Sequence, residues 1–235
     1  MKTIGLLGGM SWESTSLYYH QINEHVKAAL GGLHSAKIAL YSVDFAEIER
    51  LQHQGLWQET ADILAKAAQA VEAAGADFLV ICTNTMHKVA PEISQQIGIP
   101  VLHIADATAM ALQNAGVTRV GLLGTRFTME QDFYTSRLVE HGIDVLVPQD
   151  ADRERVHQVI YQELCQGRID PASRQDYVRI IESLAEQGAQ AVILGCTEIT
   201  MLVSQTDTTV PLYDTTAIHA AKAAERALEI CEPTN

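Results

Sequence analysis

The sequence predicts an α/β protein made of two similar lobes, each a parallel sheet covered by helices. Three observations carry that prediction. Short β-branched runs alternate with longer segments of helical period along all 235 residues. Glycines punctuate the joints between them, and the second half of the chain resembles the first. Alternation of this kind is the pattern of βαβ units around a parallel sheet.

The strands are expected at residues 4–7, 38–43, 78–82, 101–104, 120–123, 145–147, 191–195 and 210–213. Between them, residues 60–74 repeat apolar side chains at Ile63, Leu64, Ala67, Ala68 and Val71, one buried helical face that stops at Gly75. Residues 173–187 behave the same way and stop at Gly188.

The internal resemblance has three parts. Ile4-Gly5-Leu6-Leu7-Gly8 recurs as Val120-Gly121-Leu122-Leu123-Gly124. Gly75-Ala76-Asp77, leading through a strand to Cys82-Thr83, recurs as Gly188-Ala189-Gln190 leading to Cys196-Thr197. Pro100-Val101-Leu102 with Asp106 to Ala109 recurs as Pro211-Leu212 with Asp214 to Ala217. One match is what shared glycine turns produce by chance, but three in order point to homologous halves. The expected lobes are residues 1–105 and 106–214, with a helix in 215–235 packing back on the first.

Sixteen basic residues against 29 acidic ones give a net charge of -13, a field that repels nucleic acid and anionic membranes. No apolar run approaches the ~20 residues of a membrane span, and the N-terminal strand is too short for a signal sequence. A cytoplasmic protein is expected. Its four cysteines form no C-x-x-C pair, so free thiols are expected rather than disulfides or zinc ligands. Cys165 and Cys231 read as inert buried thiols.

Cys82 and Cys196 differ from those two. Each ends a strand, is followed by threonine and precedes a segment of helical character. Ligands of open parallel sheets bind outside such strand ends, and a helix N-terminus lowers a thiol's pKa and offers N–H groups to an anion. Related by pseudo-twofold symmetry, the two thiols are expected to face each other across the cleft between lobes. That arrangement suits proton transfer at a stereocentre, where one group removes hydrogen from one face and another delivers it to the opposite face.

These residues resemble the aspartate/glutamate racemases, in the first-half Cys82-Thr83-Asn84-Thr85, the second-half Gly195-Cys196-Thr197-Glu198 and the turn Gly5-x-x-Gly8-Gly9-Met10. The resemblance spans essentially the whole chain. It implies two Rossmann-like lobes, catalytic Cys82 and Cys196, no pyridoxal cofactor, a small amino-acid substrate and commonly a homodimer. Thr83, Asn84, Thr85 and Thr197 would hold the substrate's α-carboxylate or ammonium, with Met10 and its counterpart Thr125 lining the cleft. Glu198 stands where glutamate racemases carry histidine, which places the chain nearer the aspartate branch. Aspartate-selective members grip the distal carboxylate with an arginine after the second strand and a lysine on a second-lobe helix. Here Arg50 fits only in a shifted register, Gln52 is an equal candidate, and Glu163 to Gly167 contains no cation. Strict aspartate selectivity and a broader choice of polar amino acids both remain open. Related scaffolds also isomerise or decarboxylate dicarboxylic acids, and a binding protein closing on carboxylates is the non-enzymatic alternative.

Other sites read as weaker. The first glycine turn lacks the G-x-G-x-x-G spacing of a dinucleotide site. His87 either tunes the Cys82 thiol or simply sits on the following helix. His34, His103 and His219 lack metal-ligand spacing. Lys88 is expected in solvent, and Trp12 and Trp57 in core or interface.

Overall fold

The computed structural model describes residues 1–229; Ile230 to Asn235, Cys231 included, lie outside the described residues. The chain divides into two compact units, one of Met1–His103 with the segment from His219 onward, the other Ile104–Ile218.

All eight expected strands are present: β1 Ile4–Gly8, β2 Ile38–Ser42, β3 Phe78–Ile81, β4 Val101–Leu102, β5 Arg119–Gly124, β6 Asp144–Leu146, β7 Ala191–Gly195 and β8 Leu212–Asp214. Each unit holds one all-parallel sheet, in the order β2-β1-β3-β4 and β6-β5-β7-β8. The order reverses between β1 and β3, and again between β5 and β7. Those are the points where crossover helices diverge and leave a crevice at the strand ends.

Most strand bounds shift by a residue or two, and two of the shifts have a plain cause. β4 stops at Leu102 because Ile104 already opens the helix Ile104–Asn114. β8 begins after Pro211, which has no N–H for the ladder. One part of the internal repeat is also out of register. Val101 pairs with Leu79 and Leu212 with Val192, so Pro100 and Pro211 correspond. Asp214 then stands where the first half has His103, three residues short of Asp106.

The expected helices appear as Trp57–Ala73 and Pro171–Glu186, followed by Gly75 and Gly188 at φ 90° and 98°. In the first unit one sheet face presents Leu7, Leu79 and Ile81 to the Trp57–Ala73 helix. The other presents Ile4, Leu6, Phe78 and Val80 to Tyr18, Ile22 and Val26 and to alanines of the helix Thr215–Leu228. No described helix is long and apolar enough to cross a membrane.

Gly5 lets the helix approach the sheet: a Cβ there would lie 2.4 Å from Val71 Cγ1 and 2.9 Å from Ala76 Cβ. Gly121 does the same against Leu184. Overpacking of this kind costs about 1–3 kcal/mol, so Gly5→Ala is expected to lower the urea midpoint of unfolding. An unchanged midpoint would mean that the helix does not sit so close.

Candidate active site

At the reversal point of the first sheet, β1 runs into Gly9, whose φ of 92° and 2.3 Å approach of a built Cβ to the Val43 carbonyl exclude any side chain. The turn is tied to the helix that follows, Trp12–Leu30. Gly9 N–H donates to Thr15 Oγ1 at 2.8 Å, and that hydroxyl donates to the Ser11 carbonyl at 2.9 Å. Ser11 caps the helix by accepting from Ser14 N–H. Beside this turn Cys82 follows β3 directly, its N–H donating to the Leu7 carbonyl at 2.9 Å.

The Cys82 thiol is fully buried in the apolar cluster of Phe78, Val80 and Tyr18. Its Sγ lies 3.9 Å from the Val80 carbonyl oxygen. Burial pushes its pKa well above the ordinary thiol value.

In the second unit Thr125 follows β5 and caps the short helix Arg126–Glu130, accepting from Thr128 N–H. Cys196 follows β7 and is 9% exposed. Its thiol donates to Glu198 Oε2 at 3.0 Å. Burial first, then the Glu198 charge, and then that of Cys165, raise its pKa well above the ordinary value. Thr197 Oγ1 lies 2.9 Å from Thr216 Oγ1, which ties the thiol loop to the N-terminus of the Thr215–Leu228 helix. Asp214 holds that terminus, accepting from Thr216 and Ala217 N–H.

Burial therefore raises the pKa of both thiols, the opposite of the lowering expected from a helix N-terminus. The helical turns that follow, Thr85–Val89 and Ile199–Leu202, are single short turns. Such a turn has too few aligned peptides to offset desolvation.

The thiols are also less equivalent than the repeat suggests. Gly5 pairs with Leu79, and its counterpart Gly121 pairs with Val192. Cys82 lies three residues beyond Leu79, whereas Cys196 lies four beyond Val192. In an element of period two, a one-residue difference turns a side chain to the other face. Cys82 accordingly joins the cluster of Phe78 and Val80, and Cys196 that of Val192 and Leu194, which packs on the Pro171–Glu186 helix.

The first unit brings Cys82, Thr83, Asn84 and Thr85 together on the loop after β3, with Met10 buried on the turn after β1. Gln52 is buried on the helix Phe45–His53, while Arg50 is exposed and donates to Gln54 Oε1. Trp12 is 67% exposed. Two expectations are corrected. Cys165 is exposed rather than buried, because it sits on the single turn Leu164–Gln166. Lys88 stacks its ammonium 4.7 Å over the Trp57 ring instead of standing in open solvent.

Sequence reasoning missed Ser14 and used Glu198 only as a mark of lineage. Glu198 was findable, because residues i and i+2 of a tight turn after a strand can meet. Among the described residues, no group of three or more His, Cys, Asp or Glu is placed to hold a metal ion.

A family model described as Asp/Glu/hydantoin racemase matches residues 7–223. The crystal structure of a candidate Asp/Glu racemase from Yersinia pestis is 59% identical, with a TM-score of 0.93 over 97% of this chain and 100% of that one. An aspartate racemase homologue from Pyrococcus horikoshii is 36% identical, with a TM-score of 0.86 over 97% of this chain and 100% of its own. A broad specificity amino-acid racemase of Bacillus subtilis is 25% identical over 222 residues, 91% of this chain and 93% of that protein. The chain belongs to the Asp/Glu/hydantoin racemase family, a family of isomerases.

Proposed function

We propose that the chain is an amino-acid racemase working without pyridoxal phosphate or metal, in which Cys82 and Cys196 act on opposite faces of the α-carbon. The observation that carries the reading is a free thiol at the reversal point of each sheet. One sulfur, as thiolate, takes the α-proton and becomes a thiol. The other gives its proton to the opposite face of the carbanion and becomes the thiolate. The enzyme then stands ready for the reverse direction.

The thiolate is formed when substrate enters. Glu198 is the acceptor in reach of the Cys196 proton, and the substrate's ammonium, desolvated beside the sulfur, favours the charged form. Thr83, Asn84, Thr85 and Thr197 hold the α-carboxylate and ammonium, with Met10 and Thr125 beside them. The protein is taken to act as a cytoplasmic homodimer, and sedimentation velocity tests the dimer.

The substrates are aspartate, glutamate and neutral polar amino acids. Breadth is supported by the buried neutral Gln52 against the exposed, engaged Arg50, and by the name of the Bacillus subtilis relative. The test is a panel of enantiopure amino acids in D2O, read by optical rotation and α-deuterium. Racemisation with deuterium uptake supports the reading. Binding without exchange, or conversion of dicarboxylic acids alone, overturns it.

Because two thiols supply both the acid and the base, dialysis against hydroxylamine and chelator is expected to leave the rate unchanged. A loss that pyridoxal phosphate or a metal restores would refute this part of the mechanism.

A further inference from the structure

Two consecutive carbonyls of the loop carrying Cys82 are held by side chains. Ser14 Oγ–H donates to the Cys82 carbonyl at 3.0 Å. His87 Nδ1–H donates to the Thr83 carbonyl at 2.8 Å; the carbonyl only accepts, so Nδ1 carries the hydrogen. The peptides joining residues 82 to 84 are trans. In a trans peptide the N–H points opposite to the C=O, so the Thr83 and Asn84 N–H groups are turned away from Ser14 and His87.

His87 is itself held. Its buried ring lies 4.4 Å, centroid to centroid, from that of His103 and 5.8 Å from that of His219. His219, on the Thr215–Leu228 helix, donates from Nε2 to the Leu102 carbonyl at 2.8 Å and accepts at Nδ1 from the Tyr18 hydroxyl at 2.8 Å. Tyr18 follows Ser14 by one turn of the same helix. Buried polar groups cost stability unless they are paired, and within this cluster His87 is paired to the loop that carries Cys82.

We infer that Ser14 and His87 are positioning residues of the first half of the site: they turn the loop carbonyls inward, aim the Thr83 and Asn84 N–H groups at the substrate carboxylate and hold the Cys82 sulfur in place. The inference rests on the racemase reading above.

The test compares His87→Phe, His87→Asn and Ser14→Ala in the full-length protein. Phenylalanine keeps a ring without the donor, whereas an asparagine amide nitrogen reaches the position of Nδ1. His87→Phe and Ser14→Ala are each expected to lower kcat about tenfold, the scale of one buried hydrogen bond, and His87→Asn to recover to within about threefold of wild type.

Substrate-deuterium isotope effects supply a readout that general damage does not move. A misplaced Cys82 slows only the transfer between that sulfur and the α-carbon. The effect should rise for the α-deuterated enantiomer that gives its deuteron to Cys82, and fall for the other. Wild-type kcat in His87→Phe and Ser14→Ala, equal isotope effects in both directions, or an asparagine variant as slow as phenylalanine would each overturn the inference. If His87→Phe does not fold, Ser14→Ala decides. A wild-type protein that racemises no amino acid, in an assay where Cys82→Ser and Cys196→Ser behave alike with it, removes the racemase reading and this inference together.

Discussion

Serine in place of Cys82 or Cys196 is expected to slow racemisation by about 10²–10⁴-fold, the range a positioned acid or base supplies. A hydroxyl fits the space of the thiol but holds its proton far more tightly, so it cannot alternate between acid and base near neutral pH. The overall equilibrium between enantiomers is unity, so kcat/KM must fall equally in both directions. Exchange need not. With Cys196 replaced, Cys82 can still remove and return the α-proton of its own enantiomer, and the converse holds when Cys82 is replaced. Each variant should therefore wash deuterium into one enantiomer without inverting it. Cys165→Ser, which leaves both reacting sulfurs, should stay within a few-fold of wild type. Should either active-site variant racemise at the wild-type rate, the two-thiol assignment falls.

Much of this architecture is written in local signals. The apolar runs at 4–7, 78–82 and 191–195 are short and lie next to or a few residues from a glycine, which favours strands over helices. The helices before Gly75 and Gly188 follow from one apolar face each.

What stayed hidden depends on partners far away in sequence. The face on which each thiol lies is set by strand pairing, where Gly5 meets Leu79 but Gly121 meets Val192. An alignment of the halves by motif makes the two cysteines equivalent and loses that one-residue offset. His87, His103 and His219 have no spacing that marks them as neighbours, because β4 and the Thr215–Leu228 helix bring them together only in the folded unit. Motif matching likewise aligned Asp106 with Asp214, whereas pairing puts Asp214 opposite the place of His103.

The contact between Cys196 and Glu198 leads to the second large effect. The carboxylate acts on the thiol in two opposed senses. Its charge raises the Cys196 pKa and so disfavours the thiolate. Its oxygen, 3.0 Å from Sγ, is also the place to which the proton can go. Glu198→Gln separates the two. Removing the charge lowers the Cys196 pKa toward the ordinary thiol value, so thiolate forms at lower pH. In a Cys165→Ser background, which removes the exposed thiol, alkylation of Cys196 should set in at lower pH for the glutamine variant than for its parent. If charge alone mattered, the same variant would racemise faster. The amide cannot accept the proton, however, so we expect kcat to fall by about 10²-fold, most sharply for the enantiomer that Cys196 deprotonates. A thiol that ionises more easily in an enzyme that turns over more slowly is the signature of a proton acceptor. A Glu198→Gln enzyme as fast as wild type, or faster, would reduce Glu198 to an electrostatic neighbour of the sulfur.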